Sequence, residues 1–152
     1  MALTRINNQA LTNVTSAGLP AGSIVQVVSS SNETGVNFSH TSFTDRHSAS
    51  ITPKSSSNKV MVIVNFDVYH GGTGQGNCEW QILDHDGTEA LDSFYNGRSE
   101  SSVVYKSGTT GANFLSSPAT TSSVTYKIRD RMHNGGTGSF RSCTITLMEI
   151  AG

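Results

Sequence analysis

From Ser23 onward, apolar and polar residues alternate along much of the chain with a period of two, the pattern of strands buried on one face. Residues 23–29 predict a first strand through Ile24-Val25-Gln26-Val27-Val28. Phe38 and Phe43 mark a second, irregular extended stretch, and residues 47–52 a short strand stopped by Pro53 and the Ser55-Ser56-Ser57-Asn58 loop. Residues 60–69 are the most apolar run, with Val60, Val62, Val64, Phe66 and Val68 on one face. Met61 and Ile63 on the other face predict partial cover on both sides near its start. A strand over 77–83 carries the single Trp80, and Asp84-His85-Asp86-Gly87 then gives a hairpin signal before a return strand over 88–95. In residues 101–118, Val103, Val104, Tyr105, Phe114 and Leu115 predict one or two short strands around a Ser107-Gly108-Thr109-Thr110-Gly111 break. Residues 123–132 alternate cleanly, with Val124, Tyr126 and Ile128 inward and Thr125, Lys127 and Arg129 outward, and 140–150 predict a closing strand.

Short strands at regular spacing, with no segment calling for a helix, predict an all-β fold: an antiparallel β-sandwich, most simply a jelly roll. Residues 1–22 stand apart from it. Leu3, Ile6, Leu11, Val14 and Leu19 are scattered among Asn, Thr and Gln at neither helical nor strand spacing. The segment reads either as an extended arm ordered on a partner or neighbouring subunit, or as a frayed terminus. The expected division is therefore an arm over 1–22 and a sandwich over 23–152.

Composition supports that picture. Ser, Thr and Asn number 23, 17 and 11, a third of the 152 residues, and only 14% are charged. That suits strands and turns, and one domain of this length buries enough surface for a core. The net charge of −1, with no basic stripe, leaves nucleic-acid binding without an electrostatic footprint. No apolar window is long enough for membrane insertion, and the first residues lack the apolar core of a secretory signal. A protein made in the cytosol is expected, so the glycosylation-type matches at Asn13, Asn32 and Asn37 carry little weight.

One internal echo is present. His70-Gly71-Gly72-Thr73-Gly74 leads to Cys78, and His133-Asn134-Gly135-Gly136-Thr137-Gly138 leads to Cys143. Each follows a long strand, so the two loops belong together at one end of a sandwich. His70, Thr73, Gln75, His133, Asn134 and Thr137 are the contact candidates, although Gly-rich tips also serve simply to reverse long strands. His-Gly-Gly is shared with an oxyanion-hole motif of hydrolases, but the G-x-S-x-G elbow that must accompany it is missing. His40, His47, His70, His85 and His133 lack zinc-site spacing, and Asp84-His85-Asp86-Gly87 lacks the further acids of a calcium loop. No catalytic residue, metal or cofactor is expected. Cys78 and Cys143 read either as free buried thiols or as a bridge between hairpins. Trp80, Tyr69, Tyr95 and Tyr105 read either as core aromatics or as sugar-stacking surfaces.

The opening Met1-Ala2-Leu3-Thr4-Arg5-Ile6-Asn7-Asn8-Gln9-Ala10-Leu11, running into Leu19-Pro20-Ala21-Gly22-Ser23-Ile24-Val25-Gln26-Val27-Val28, resembles the start of short virion proteins of marine and freshwater bacteriophages. Such proteins are often labelled tail fibre or minor structural protein. The passage Ser50-Ile51-Thr52-Pro53-Lys54-Ser55-Ser56-Ser57-Asn58-Lys59-Val60-Met61-Val62 and the ending Met148-Glu149-Ile150 are similar as well. The resemblance implies a jelly roll like the tumour-necrosis-factor-like homotrimers, with Leu3, Ile6, Leu11 and Val14 anchoring the arm to the virion. Apolar strand faces such as that of Val60 to Val68 would be buried against neighbours. It implies a fibre or adhesion role in host attachment, with tail or capsid proteins as partners and a host glycan or protein as receptor. Assembly in the host cytoplasm would follow. The sequence has no shaft, coiled coil or collagen-like repeat, which keeps open capsid decoration and, from another class, a free carbohydrate-binding module.

Overall fold

The alternation resolves into nine strands in the computed structural model, which describes residues 18–70, 78–88, 94–96, 106–132 and 136–152. They are β1 (Ile24–Asn32), β2 (Val36–Phe38), β3 (Thr44–Ile51), β4 (Lys59–His70), β5 (Cys78–Leu83), β6 (Phe94–Asn96), β7 (Lys106–Ser116), β8 (Val124–Met132) and β9 (Gly138–Ile150). No α-helix occurs among the described residues. Two antiparallel sheets form. One has the order β1-β9-β4-β7, with β2 also on β9; the other has the order β3-β8-β5-β6. β1 pairs with Cys143 to Ile150 of β9 and β2 with Gly138 to Phe140, so β2 continues the ladder of β1.

The inward positions of the two sheets make the core. Val60, Val62, Val64, Phe66 and Val68 of β4 meet Trp80 and Ile82 of β5 and Tyr126 and Ile128 of β8 in one buried cluster. Phe66 approaches Trp80 at 6.0 Å between ring centroids, and Phe114 meets Tyr126 edge-on at 6.2 Å, so aromatic pairs join the sheets. The Val60-to-Val68 face is thus filled within the sandwich rather than offered to neighbours. The outward face of β4 is the one with Met61 and Ile63, both half-buried.

Two expectations need correction. The glycine-rich stretch at 107–111 is no break: β7 runs unbroken through it, paired with β4 from Val60↔Ser116 to His70↔Lys106. As an edge strand, β7 needs only one hydrogen-bonded flank, and Gly111 fits because a Cβ there would lie 2.7 Å from Asn65 Oδ1. Phe43 lies outside any strand, directly before β3, while Phe38 closes β2. The Asp84–Thr88 turn forms as its sequence predicts, with Asp84 N donating to Thr88 O (2.9 Å) and Gly87, at φ 83°, donating to Asp84 O (3.0 Å). β5 and β6 then pair antiparallel from Cys78↔Asn96 to Trp80↔Phe94. Of the predicted return strand, 89–93 lie outside the described residues.

The registers give the sandwich a direction. At one end lie Phe38, His70, Cys78, Asn96, Lys106, Met132 and Gly138, joined through the pairs Phe38↔Gly138, His70↔Gly138, His70↔Lys106, Cys78↔Met132 and Cys78↔Asn96. Both echo segments leave the sheets here, as their shared pattern suggests. At the opposite end Ile24 and Lys59 both pair with Ile150, and Gly22 N donates to Ala151 O at 2.8 Å, so the start of β1 and the end of β9 lie together there.

Gly138 shows how tightly the loop end is filled. A Cβ there would lie 2.5 Å from Phe38 Cζ and 2.6 Å from Cys78 Sγ. Gly138→Ala is therefore expected to cost about 1–3 kcal/mol through overpacking. Gly111→Ala, which meets only the flexible end of an exposed Asn65, should cost clearly less. Urea melts of the two variants side by side check the difference.

Candidate functional site

At the loop end, the inward alternation of β8 reaches a position where an apolar side chain is expected and places Asp130 there. The carboxylate is fully buried. The connection between β2 and β3 brings it His40, and the start of β3 brings it Arg46. His40 Nε2 lies 2.9 Å from Asp130 Oδ1 and 3.1 Å from its carbonyl oxygen. Arg46 Nε donates to Asp130 Oδ2 at 2.5 Å, and Arg46 Nη2 stands 3.2 Å from His40 Nε2. His40 O in turn accepts from Met132 N at 2.8 Å, fixing the loop to the end of β8. Burial is the largest influence on Asp130 and pushes its pKa above the ordinary carboxylate value, against the pull of Arg46 and His40. The Arg46 guanidinium also lies 4.9 Å from the Phe38 ring centroid, and Phe38 lies 5.1 Å from the His40 ring.

Above this cluster, Asn37, Phe38, Ser39, His40 and Thr137 line an open groove of about 390 Å³. Its side chains carry an amide, hydroxyls and an imidazole, all able to hydrogen-bond a ligand. Thr137 is the one tip candidate whose side chain is described, and it lies on this groove. His70 ends β4 beside Gly138. Thr73, Gln75, His133 and Asn134, like the arm residues Leu3, Ile6, Leu11 and Val14, lie outside the described residues.

Beside the groove, the outward face of the second sheet is also ordered by charge. Phe43 lies under two guanidinium groups, Arg129 at 4.6 Å and Arg131 at 4.2 Å from its ring centroid. Arg131 Nε donates to Glu79 Oε2 at 2.6 Å, and Arg129 donates twice to Gln81 Oε1. Trp80, between them on β5, points inward and is 1% exposed, so it is a core residue and cannot stack on a sugar.

A third cluster has the residue types of a nucleophilic triad without its geometry. Ser116 Oγ donates to Asp84 Oδ1 at 2.6 Å, and His85 Nδ1 lies 2.8 Å from the same oxygen. Ser116 Oγ is 3.2 Å from His85 Nδ1, the same ring nitrogen that meets the acid. A general base must face the nucleophile with one nitrogen and the orienting acid with the other. Here the hydroxyl is buried and bonded to the carboxylate, which makes a brace between the 84–88 turn and β7. Burial pulls the Asp84 pKa up, but the hydrogen bonds from Ser116 and His85 outweigh it and hold it below the ordinary value.

Among the described residues, no group of three or more His, Cys, Asp and Glu is arranged to hold a metal. Cys78 and Cys143 are free and buried, with Cys78 Sγ 3.2 Å from Met132 Sδ. Burial pushes both thiols up to about 12, helped at Cys78 by the neighbouring Asp130. Neither thiol is expected to react with an aromatic disulfide reagent at pH 8 in the folded protein, and both should react after unfolding in guanidinium. Spectrophotometric titration of released thiolate checks this.

The His40–Arg46–Asp130 cluster was not singled out from the sequence. Its one visible signal is Asp130 itself, an acid at an inward position of an otherwise regular alternation.

No family model matches the chain, and no curated protein does. Among solved structures, the chain is similar to VP2 of infectious bursal disease virus in a subviral particle, at TM-score 0.51 and 13% identity, over 80% of this chain and 32% of that one. It is similar also to a structure of infectious bursal disease virus Gt strain, at TM-score 0.51 and 10% identity, over 86% of this chain and 33% of that one. The chain spans about a third of the length of these proteins. What they share with it is an all-β fold of antiparallel sheets.

Proposed function

We propose that this protein is a non-enzymatic structural component of a bacteriophage particle: a trimeric fibre or adhesion protein held by its arm, residues 1–22, with the loop end turned outward. The observation that carries the reading is the likeness of fold to VP2 of infectious bursal disease virus, a protein of a subviral particle. The direction of the sandwich supports the orientation. The start of β1, into which the arm runs, lies at one end, where an anchor belongs, and the strand ends flanking the echo segments lie with the groove at the other, where a receptor would be met. The order β1-β9-β4-β7 facing β3-β8-β5-β6 supports a jelly roll, the double-sheet arrangement found in viral capsid and lectin domains. Thr137, with His70, Thr73, Gln75, His133 and Asn134, would then contribute to contact with a host glycan or protein.

Capsid decoration is the second reading, and the same likeness to a protein of a viral shell favours it. Cryo-electron microscopy of the intact particle tests both. Threefold density on the tail or adsorption apparatus is the result expected of the fibre protein, and threefold density on the capsid lattice that of the decoration protein. Absence from the particle overturns both and leaves a free sugar-binding module.

A further inference from the structure

The outward face of the five-stranded sheet is divided by register into rows, and one row is apolar from edge to edge. Val27 of β1 pairs with Met148 of β9, Met148 with Met61 of β4, and Met61 with Leu115 of β7. Val27 and Leu115 are 53% and 47% exposed, and Ile24, at the base of β1, is 56% exposed. Towards the loop end the face turns polar: Ser29, Thr146, Ile63 and Asn113 make the next row, then Ser31, Thr144, Asn65 and Gly111. The apolar strip therefore lies at the base of the sandwich and is little more than one side chain wide.

We propose that this row is the seat of the protein's own amino-terminal segment, residues 1–17, with Leu3, Ile6, Leu11 and Val14 supplying the side chains that cover it. Three observations carry the assignment. First, the segment joins the sandwich beside the row: Gly22 N bonds Ala151 O, next to the Ile24↔Ile150 pair. Second, the junction is a tight turn. Ser23 N donates to Pro20 O at 3.1 Å, with Gly22 at φ 86° in the third position, as a type II turn requires. Such a turn reverses the chain direction across Pro20 to Ser23. Leu19 is already half-buried there. Third, the row matches a narrow occupant. Four strands span roughly 14 Å at about 4.8 Å spacing, and an extended segment of this length reaches on the order of 50 Å. A second sandwich seated here would bury roughly 800 Å² on each side, and so would have to cover the Ser, Thr and Asn rows as well.

The seat narrows what anchoring by the arm means, because a particle protein that takes the arm has to displace it from the row. The assignment does not depend on the virion reading and is tested on the isolated protein. A photo-crosslinking p-benzoylphenylalanine is placed at position 27 or 115 of the full chain, and at the exposed Thr109 of the same face as a control. Irradiation followed by peptide mass spectrometry is expected to join positions 27 and 115 to peptides within residues 1–17, and position 109 to none of them. Combining Ile6→Ser and Leu11→Ser in the same full chains should abolish the crosslinks while leaving the thermal unfolding of the sandwich in place. Crosslinks from 27 and 115 to sandwich peptides of a second copy would overturn the assignment and make the row a subunit interface. Absence of crosslinks at both positions would overturn it too, as a bare row.

Discussion

Arg46→Ala is expected to destabilise the fold by about 3–5 kcal/mol at neutral pH, because it leaves the fully buried Asp130 carboxylate with His40 as its remaining side-chain hydrogen-bond partner. The loss should itself depend on pH, with a sign fixed by Asp130. Its folded pKa is raised above the ordinary value, so protonation favours the folded state, and that contribution is lost as pH rises through the folded pKa. Removing Arg46 takes away an influence that lowers this pKa and so raises it further. The variant should recover towards wild type as the pH falls into the acid range, where a neutral carboxyl no longer needs a guanidinium. Urea melts of both proteins between pH 4 and 8 check this. A penalty that stays constant over that range would mean that Arg46 acts by packing on Phe38, 4.9 Å away, rather than by charge.

The opposite end has its own buried acid, and Glu149→Ala should have an effect of similar size. Glu149 is fully buried at an inward position of β9. It accepts from Gln26 Nε2, Lys54 N and Asn58 Nδ2, each at 2.6 Å, and so ties β1 and the 52–58 connection to the last strand. Alanine would strand these donors at about 1–3 kcal/mol for each that stays buried, giving a loss on the order of 3–5 kcal/mol once water or relaxation satisfies some of them. For a chain of this length that is a fall of roughly 10 °C or more in Tm. Glu149→Gln keeps one acceptor oxygen and should recover much of the loss. Scanning calorimetry of the two variants checks the order.

Both acids could be seen in the sequence as interruptions. Val124, Tyr126 and Ile128 lead to Asp130, and Cys143, Ile145 and Leu147 lead to Glu149, each at a position where the period demands an apolar residue. The alternation also gave the long strands and the Val60-to-Val68 core face, and Asp86-Gly87 gave its turn. What it could not give was pairing. β1 meets β9 across almost the whole chain, a relation set by three-dimensional complementarity and not by any local pattern. β7 was obscured because Gly108 and Gly111 read as a break, whereas an edge strand held by β4 tolerates them. The groove escaped for the same reason as the pairing. Asn37 lies on β2, His40 just after it and Thr137 just before β9, and the β2–β9 ladder brings them together.

The central place of β9 bears on how the molecule is made. β9 follows the other eight described strands in sequence, yet it is the one on which β1, β2 and β4 all pair. A ribosome releases residues in order, so β1 and β2 emerge early and wait for β9, their ladder partner among the described residues. The five-stranded sheet must then close by long-range contacts, which places folding in the slow, millisecond-to-second regime typical of all-β topologies. During that wait, the Val-rich β1 and β4 are the segments most open to mispairing with other nascent chains. Yield in a heterologous host should therefore respond to synthesis rate and temperature more than to the stability of the finished fold.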